Sequence, residues 1–257
     1  MGTDDTRNGV SVGATETSFG IIEHIGEQEK TGVSELADAL DVSKSTVHNH
    51  LQTLKQLGYV VKFGDEYRLS LRFLGLGDRA RQRHDLYYVA KPEADSLVEA
   101  VGERVQVMVE ESGVGIYIYQ SLADQAIRTD SHIGTTVPLH ATSVGKAYLA
   151  YVPEARRETI LDDIQFDKET AHTLTDRDTF ESELAEIADR GYAFNEEERT
   201  IGMRAVGAPI LSDDGEILGA ISVSGPNTRM TGTWFRDDVP DMVTQSARVI
   251  GIKATYS

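Results

Sequence analysis

The most constraining stretch of the chain is residues 43–57, which combine a helical apolar stripe with a face that carries no carboxylate. Val47, Leu51, Leu54 and Leu57 recur at four- and three-residue steps, so a helix would turn all four toward a core. The opposite face holds hydroxyl, amide, imidazole and amine groups, which can donate to phosphates and base edges. Its residues are Lys44, Ser45, Thr46, His48, Asn49, Gln52 and Lys55.

The charge of the whole chain argues against a polyanionic partner, but that charge is unevenly distributed. The formal net charge is -17, which should repel DNA. Residues 43–91, however, hold nine Lys and Arg against four Asp and Glu. The acidic composition resembles that of proteins from salt-accumulating archaea, and at about 1 M salt the Debye length shrinks to roughly 3 Å. A basic segment could then contact a polyanion inside an acidic protein.

Several classes of protein are disfavoured by what the sequence lacks. The chain has no Cys, which excludes disulfides and thiolate metal sites. Residues 1–13 are polar and predict a disordered leader, not a signal peptide. No apolar run approaches the roughly 20 residues that span a membrane. His48 and His50 would point to different sides of a helix and could not chelate one metal ion. We therefore expect a cytoplasmic protein without metal, cofactor or membrane partner.

Three short helices are predicted before residue 58. The first covers 15–26, Ser34 is the expected N-cap of the second, and Ser43 is the expected N-cap of the third. Any one amphipathic helix is more often an ordinary core element. The residues of the first helix that we expect to face inward are Phe19, Ile22 and Ile25.

A β-hairpin is predicted directly after the third helix. Gly58 suits a helix C-cap, and the β-rich runs 59–63 and 66–69 flank a Gly64-Asp65 turn. Three helices followed by a hairpin predict a winged helix-turn-helix over residues 14–70. We add Ser43, and Lys62 on the hairpin, to the expected DNA contacts.

The rest of the chain predicts a linker helix and an α+β domain. Residues 70–88 are predicted to form one helix, which is either a solvated connector or a linker, and Lys91-Pro92 predicts its end. The linker is therefore placed at 71–91 and the second domain at 92–257. There, helices should flank a mostly antiparallel sheet. Its predicted strands are residues 105–109, 116–119, 204–211 and 216–224, with 126–129 as an additional candidate.

Four runs in the second domain, residues 138–147, 191–198, 202–209 and 222–226, resemble the effector domain of the IclR family of transcriptional regulators, in the same order. The resemblance implies a winged helix-turn-helix joined by a linker helix to a GAF-like domain that binds a small-molecule effector. It further implies a homodimer or homotetramer on a palindromic double-stranded DNA operator. The implied effector is a small acidic or sugar-derived metabolite.

The same resemblance implies where the effector binds. The start of the helix after residue 142 would offer free N–H groups to an anion, and serines two apart on a strand would share one face. Ala205 stands where many members have Cys, and Asn195 where an acidic residue is common. The serines could instead cap local backbone or be exposed to solvent, and Arg204 could pair with Glu196, Glu197 or Glu198 or contact the ligand. The implied ligand-binding residues are Ser143, Val144, Asn195, Met203, Ala205, Ser222 and Ser224.

Catalytic motifs are incomplete in this sequence. Residues 141–145 resemble a nucleophile elbow, but Ala141 replaces the glycine that the strained turn needs. Gly145-Lys146 is not a P-loop, since Ala147 replaces the hydroxyl residue. His140 is expected to be a packed, hydrogen-bonded histidine. We predict no catalytic residues and no enzyme, with a hydrolase or esterase using Ser143 as the alternative.

Overall fold

The computed structural model describes residues 11–28, 30–127, 129 and 131–256, and the chain divides into two compact units between Ala80 and Arg81. The first unit contains three helices and a small antiparallel sheet in the order β1-β3-β2, and a fourth helix ends at its boundary. The predicted leader falls outside the described residues except for 11–13. The elements are α1 Gly13–Glu27, β1 Thr31–Gly32, α2 Val33–Ala39, α3 Lys44–Gln56, β2 Val60–Phe63, β3 Glu66–Leu69 and α4 Arg72–Arg81.

Three of the four residues predicted for the apolar stripe of α3 form the centre of this unit, whereas the prediction for Leu57 is wrong, because it is the helix C-cap and is 55% exposed. Val47, Leu51 and Leu54 are buried and pack with residues of α1, α2 and the β2–β3 hairpin. Full burial of such a side chain contributes about 1.5–3 kcal/mol. The Ser43 N-cap is confirmed, because its Oγ accepts a hydrogen bond of 3.1 Å from the Thr46 N–H. The predicted hairpin is also confirmed, with Phe63 paired to Glu66 across the turn.

Two details of the first two helices were predicted wrongly. Ile21 and Ile25 form the buried stripe of α1, whereas Phe19 is 56% exposed. At 100° per residue Phe19 lies about 200° around the helix from Ile21, on the opposite side. The N-cap of α2 is Gly32, and Ser34 lies inside the helix.

The region predicted as one linker helix contains parts of two helices. After α4, a second helix, α5, runs from Asp85 to Val101 and passes through Pro92. The predicted helix end at Lys91-Pro92 is therefore wrong. Proline removes one backbone donor, but Leu86, Ala90 and Ala94 on α5 are buried in a large apolar cluster. Packing of that helical stripe outweighs the local preference for a break.

The second unit is a six-stranded antiparallel sheet in the order β6-β5-β4-β9-β8-β7, with helices on both faces. Helix α5 and the last helix pack on one face, and the other helices on the opposite face. The candidate strand at 126–129 is wrong, because Ala126, Ile127 and Thr129 are not in a strand. The elements are β4 Arg104–Glu111, β5 Val114–Ser121, β6 Thr136–Val137, α6 Ser143–Tyr151, α7 Glu154–Asp163, α8 Arg177–Arg190, β7 Ala193–Glu196, β8 Met203–Leu211, β9 Ile217–Pro226, a π-helical turn Trp234–Asp238 and α9 Val239–Thr255.

Strand β4 shows how this sheet separates an apolar from a polar region. Val105 and Val107 point into the cluster with α5 and α9. The alternate residues point to the opposite face, toward α6, because side chains alternate along a strand. On that face Met108 joins the apolar cluster of α6, whereas Arg104 and Gln106 make the start of the strand polar.

Across the described residues, no helix is both long and apolar enough to cross a membrane.

Candidate functional site

The carboxylate-free face of α3 lies on the surface of the first unit. Thr46 and Gln52 are half-buried and the other predicted residues of this face are exposed. The helix N-terminus carries a hydroxyl cluster, in which Ser43 Oγ lies 2.8 Å from both Ser45 Oγ and Thr46 Oγ1. No acidic residue occupies the first turn, so the positive end of the helix dipole is not offset there. Groups on this face can donate hydrogen bonds to phosphate oxygens, and its amides can contact base edges.

The hairpin that follows α3 in the sequence carries two more cations. Lys62 on β2 is exposed, and its Nζ lies 5.6 Å from the centre of the Tyr67 ring. Arg68 on β3 is also exposed and was not among the predicted contacts. Its guanidinium lies 4.8 Å from the Phe63 ring. Each of these two cations of the hairpin therefore lies close to an aromatic ring.

The second unit contains a cavity at the polar end of the sheet face below α6. Its volume is about 60 Å³, which is well below the roughly 300–1,000 Å³ of drug-sized ligand sites, so it suits only a small ligand. Val144 is absent from its lining, since its side chain is buried in the apolar cluster of α6. The other six predicted ligand residues line it: Ser143, Asn195, Met203, Ala205, Ser222 and Ser224.

Two glycines let the start of α6 pack closely, Gly207 on the sheet beneath it and Gly145 on α6 against the preceding segment. A Cβ on Gly207 would lie 2.6 Å from the backbone carbon of Ser143 and 2.9 Å from the nitrogen of Val144. A Cβ on Gly145 would lie 2.2 Å from the Leu139 carbonyl oxygen. All three distances are far below van der Waals contact. These glycines place the helix N-terminus within reach of a ligand on the sheet.

The first turn of α6 retains unused donors. Thr142 is the N-cap, and its Oγ1 accepts a hydrogen bond of 3.2 Å from the Gly145 N–H. No hydrogen bond among the described residues uses the N–H of Ser143 or Val144. Free N–H groups at a helix N-terminus favour an anion.

The register of the sheet assembles the rest of the cavity in two rows. Ser224 pairs with Ala205 on one side and with Arg104 on the other. Ser222 likewise pairs with Gly207 and Gln106. Directly paired residues share one face of a sheet, so the predicted serines bring two β4 side chains into the cavity that the sequence prediction missed.

Arg104 is the most deeply buried cation of the cavity lining. It is 6% exposed, and its Nε donates a hydrogen bond of 3.1 Å to Ser224 Oγ. Its Nη1 donates to the Thr129 hydroxyl. Arg199 and Arg204 also line the cavity, and none of the described lining residues is Asp, Glu, Lys or His. In a chain of net charge -17, this lining is positive.

Asn195 holds the helix start and the following loop together. Its Nδ2 donates to the Ala141 carbonyl oxygen at 2.7 Å, and its Oδ1 accepts from the Glu198 N–H at 3.2 Å. A carboxylate at this position could accept the second hydrogen bond but could not donate the first. Asn195 therefore connects the segment just before α6 to the loop after β7, and it also lines the cavity.

The loop of residues 197–202 is fixed by its first residue. Glu197 adopts a left-handed φ of 68°. Its carboxylate accepts hydrogen bonds of 2.9 Å from Asn227 Nδ2 and 2.7 Å from the Gly202 N–H. These two bonds, that of Asn227 first, hold the pKa of Glu197 below its usual value. The loop then carries Arg199 and Thr200 to the cavity.

The contacts of Arg204 and His140 bear on what the sequence predicted for each. Arg204 Nη2 lies 3.6 Å from Glu196 Oε2, and Nη1 donates to the Met230 carbonyl oxygen at 3.0 Å. This is an ion pair within the protein, but Arg204 also lines the cavity, so a ligand contact stays a prediction. His140 is buried, and its Nε2 lies 2.9 Å from the Asp167 carbonyl oxygen, so it is a packed, hydrogen-bonded histidine.

Neither a catalytic nor a metal site is apparent among the described residues. Ser143 is buried at the start of α6, and no described histidine is hydrogen-bonded to its Oγ. No described group of three or more His, Asp or Glu side chains is arranged to hold a metal ion.

Comparison with known proteins gives matches over nearly the whole chain. The family described as "Bacterial transcriptional regulator IclR C-terminal" matches residues 79–252, and the "IclR helix-turn-helix domain" matches residues 15–62. A probable HTH-type transcriptional regulator, ArcR, of Halobacterium salinarum is 34% identical, covering 91% of this chain and 90% of that protein. The HTH-type transcriptional regulator KdgR of Escherichia coli is 30% identical, covering 96% and 94%. The crystal structure of the Thermotoga maritima IclR superposes with a TM-score of 0.79 at 26% identity, covering 95% and 99%.

Proposed function

The chain belongs to the IclR family of transcriptional regulators, and we propose that its effector is a small acidic metabolite, sugar-derived or otherwise, bound in the cavity below α6. Proteins of this type join a helix-turn-helix DNA-binding domain to a C-terminal effector-binding domain. The positive lining of that cavity, in so acidic a chain, is the observation that carries the proposal.

An anion would be held by two kinds of group in this cavity. The free N–H groups at the start of α6 add the helix dipole to two hydrogen bonds. The hydroxyls of Ser222 and Ser224 both donate and accept, so they suit either a carboxylate oxygen or a sugar hydroxyl. We assign the ligand contacts to the backbone of Ser143 and Val144 and to the side chains of Asn195, Met203, Ala205, Ser222 and Ser224.

The double variant Ser222→Ala/Ser224→Ala should lose the response to effector. The response is the ratio of operator affinities with and without effector, measured by fluorescence anisotropy on full-length protein. Loss of two hydrogen bonds to a charged group, at about 1.5–3 kcal/mol each, would weaken effector binding by at least tenfold. Ser212→Ala, outside the cavity, is the matched control. A response equal to that of the wild type in the double variant would contradict the assignment.

We further propose that α3 reads the major groove through Asn49 and Gln52, flanked by His48 and the hydroxyls at the helix start. Asn49→Ala/Gln52→Ala should weaken binding to the specific operator by about 1–3 kcal/mol for each base-edge interaction that the substitution removes. Binding to random duplex should change little. The measurement is competition anisotropy with both duplexes at fixed potassium concentration.

The control for this prediction is the pair of flanking lysines. Lys44→Ala/Lys55→Ala removes proposed phosphate contacts, so it should weaken both duplexes equally and reduce the salt dependence of binding. A selective loss for the operator in the lysine variant, or an equal loss for both duplexes in the amide variant, would contradict the assigned roles.

The assembly that we propose is a cytoplasmic homodimer or homotetramer on a palindromic operator, with half-sites about one helical turn or a multiple of it apart. Helix α4 supports self-association, since none of its residues is buried and Leu74 is 69% exposed. Apolar side chains exposed in this way commonly mark contact surfaces. Light scattering that returned the 28.2 kDa mass of one chain would contradict the proposal.

A further inference from the structure

Arg199 lies at the opening of the cavity below α6. Of the residues that line this cavity, Ser143 and Ser222 are buried, whereas Arg199 is half-buried and Thr200 beside it is exposed. The loop of residues 197–202 therefore forms part of the opening through which the cavity meets solvent.

The side chain of Arg199 connects two loops across the cavity. Its own loop joins β7 and β8 at one edge of the sheet, whereas Ser131 lies in the segment between β5 and β6 at the other edge. The Nη1 of Arg199 donates a hydrogen bond of 3.4 Å to Ser131 Oγ, and the Ser131 N–H donates in turn to Thr129 Oγ1 at 3.3 Å. Both Arg199 and Ser131 line the cavity, so a ligand that enters between the two loops meets the Arg199 guanidinium.

This guanidinium has unused capacity to bind an anion. Arginine carries five N–H donors, and among the described residues the bond to Ser131 is the single hydrogen bond that Arg199 makes. Arg104, in contrast, already donates to Ser224 and Thr129. The bond to Ser131 is longer than the usual range of roughly 2.7–3.2 Å, and its acceptor is a neutral hydroxyl. A hydrogen bond to a carboxylate is roughly twice as strong as a neutral one, so a bound carboxylate should displace Ser131 from Arg199.

We propose that Arg199 selects acidic effectors at the opening of the cavity, by exchanging its hydrogen bond to Ser131 for one to the carboxylate of the effector. This inference rests on the proposal that the cavity takes the effector, and it adds Arg199 to the ligand contacts assigned above. The cavity has a volume of only about 60 Å³, so a bound ligand lies within a few ångströms of every lining group. Rotation about the side-chain bonds of Arg199 is then enough to bring the guanidinium to the carboxylate.

The volume of the cavity also sets the size of the compounds that test this role. One water molecule needs roughly 10–15 Å³ of such space, so about four to six non-hydrogen atoms fit in 60 Å³. Ser224 Oγ accepts a hydrogen bond from Arg104, which leaves the Ser224 O–H as a donor to the ligand. Short hydroxy acids meet both conditions. Glycolate and lactate are such acids, and glycolamide and lactamide are their uncharged counterparts of equal size.

Calorimetric titration of full-length protein with these four compounds, at one fixed potassium concentration, measures the selection of charge. We expect at least one acid to bind the wild type tenfold or more tightly than its amide. Arg199→Gln removes the positive charge and should lower that ratio at least fivefold, whereas Arg199→Lys should retain more of it. The matched control is Arg248→Gln, an exposed arginine on α9, which should leave the ratio unchanged.

Ser131→Ala tests the exchange itself. Since Ser131 is released when the carboxylate binds, this variant should bind the acid as tightly as the wild type or more tightly. A fivefold or greater loss of affinity would show that the bound effector needs the Ser131 hydroxyl, and it would overturn the exchange.

The remaining outcomes also decide the inference. It is overturned if neither acid binds the wild type, if both acid-to-amide ratios are below ten, or if the ratio falls less than fivefold in Arg199→Gln with a circular dichroism spectrum like that of the wild type. Operator affinity is measured separately. An acid selected through Arg199 that leaves operator affinity unchanged would contradict the proposed function alone. An acid that changes operator affinity but keeps its ratio in Arg199→Gln would contradict this inference alone.

Discussion

Gly207→Ala is expected to lower the free energy of unfolding of the second unit by about 2–3 kcal/mol, at the upper end of the range for overpacking. The added Cβ would lie 2.6 Å from backbone atoms of Ser143. Backbone cannot rotate away as a flexible side chain can, so the start of α6 must move by on the order of 1 Å to restore van der Waals contact. Chemical denaturation monitored by circular dichroism measures the loss.

The sign of this effect distinguishes it from the usual effect of the substitution. Replacing glycine by alanine within a strand or helix ordinarily stabilises by roughly 0.5–1 kcal/mol. Gly75 is the control for the substitution itself, since it is an exposed residue of α4 in the first unit where an added Cβ would have no atom within 4 Å. Gly75→Ala should therefore be neutral or stabilising. If Gly207→Ala proved as stable as the wild type, that result would contradict the close packing of α6 against β8.

The same displacement should also weaken effector binding. The free N–H groups of α6 would move away from the serines of β9, and hydrogen bonds weaken steeply with poor geometry. We expect at least a tenfold loss, equivalent to about 1.4 kcal/mol. Calorimetric titration of both proteins with a small carboxylate that binds the wild type gives the comparison.

The DNA-binding unit was predictable because its signals are local. Ser43 precedes a helix whose apolar residues recur at helical spacing, and Gly64-Asp65 separates two short β-rich runs. Caps, periodicity and turn residues act over a few positions, so they can be recognised in the sequence without knowledge of the tertiary fold. The error at Phe19 arose where three apolar residues at equal spacing allowed more than one choice of buried face.

The helix through Pro92 shows where local rules stop. Proline predicts a helix end from its missing donor and from its effect on the preceding residue. In the folded unit, however, Leu86 and Ala90 before the proline and Ala94 after it lie on one buried stripe. Only the sheet beneath α5 allows that stripe to be buried, and the sheet is formed by residues distant in sequence.

The cavity was predictable on two of its sides. The family resemblance supplied the start of α6 and the positions on β8 and β9. Arg104 and Gln106 were missed because their place beside Ser224 and Ser222 depends on strand register, which short strand patterns do not specify. A signal did exist, since polar residues alternate with Val105 and Val107 in an otherwise apolar strand. Such alternation predicts a second, polar face.

Lys146→Met is expected to destabilise the second unit by about 3–5 kcal/mol, the cost of leaving one member of a buried ion pair alone. The Lys146 side chain is 2% exposed, and its Nζ lies 2.8 Å from Glu198 Oε1. It also lies 3.6 Å from Glu183 Oε1. Without the lysine, the buried carboxylate of Glu198 would lose its nearest cation. Urea denaturation of full-length protein measures the change.

A double variant separates this electrostatic cost from the loss of packing. Lys146→Met/Glu198→Gln removes both charges, so it should recover a large part of the stability lost in Lys146→Met. Lys91→Met is the matched control, because Lys91 and Asp95 form an ion pair of 3.0 Å whose side chains are exposed; its effect should be far smaller. Since the Glu198 N–H donates to Asn195 in the cavity lining, the single variant should also weaken effector binding. If the single and double variants were equally stable, the stability lost in Lys146→Met would come from lost packing and not from the unpaired charge of Glu198.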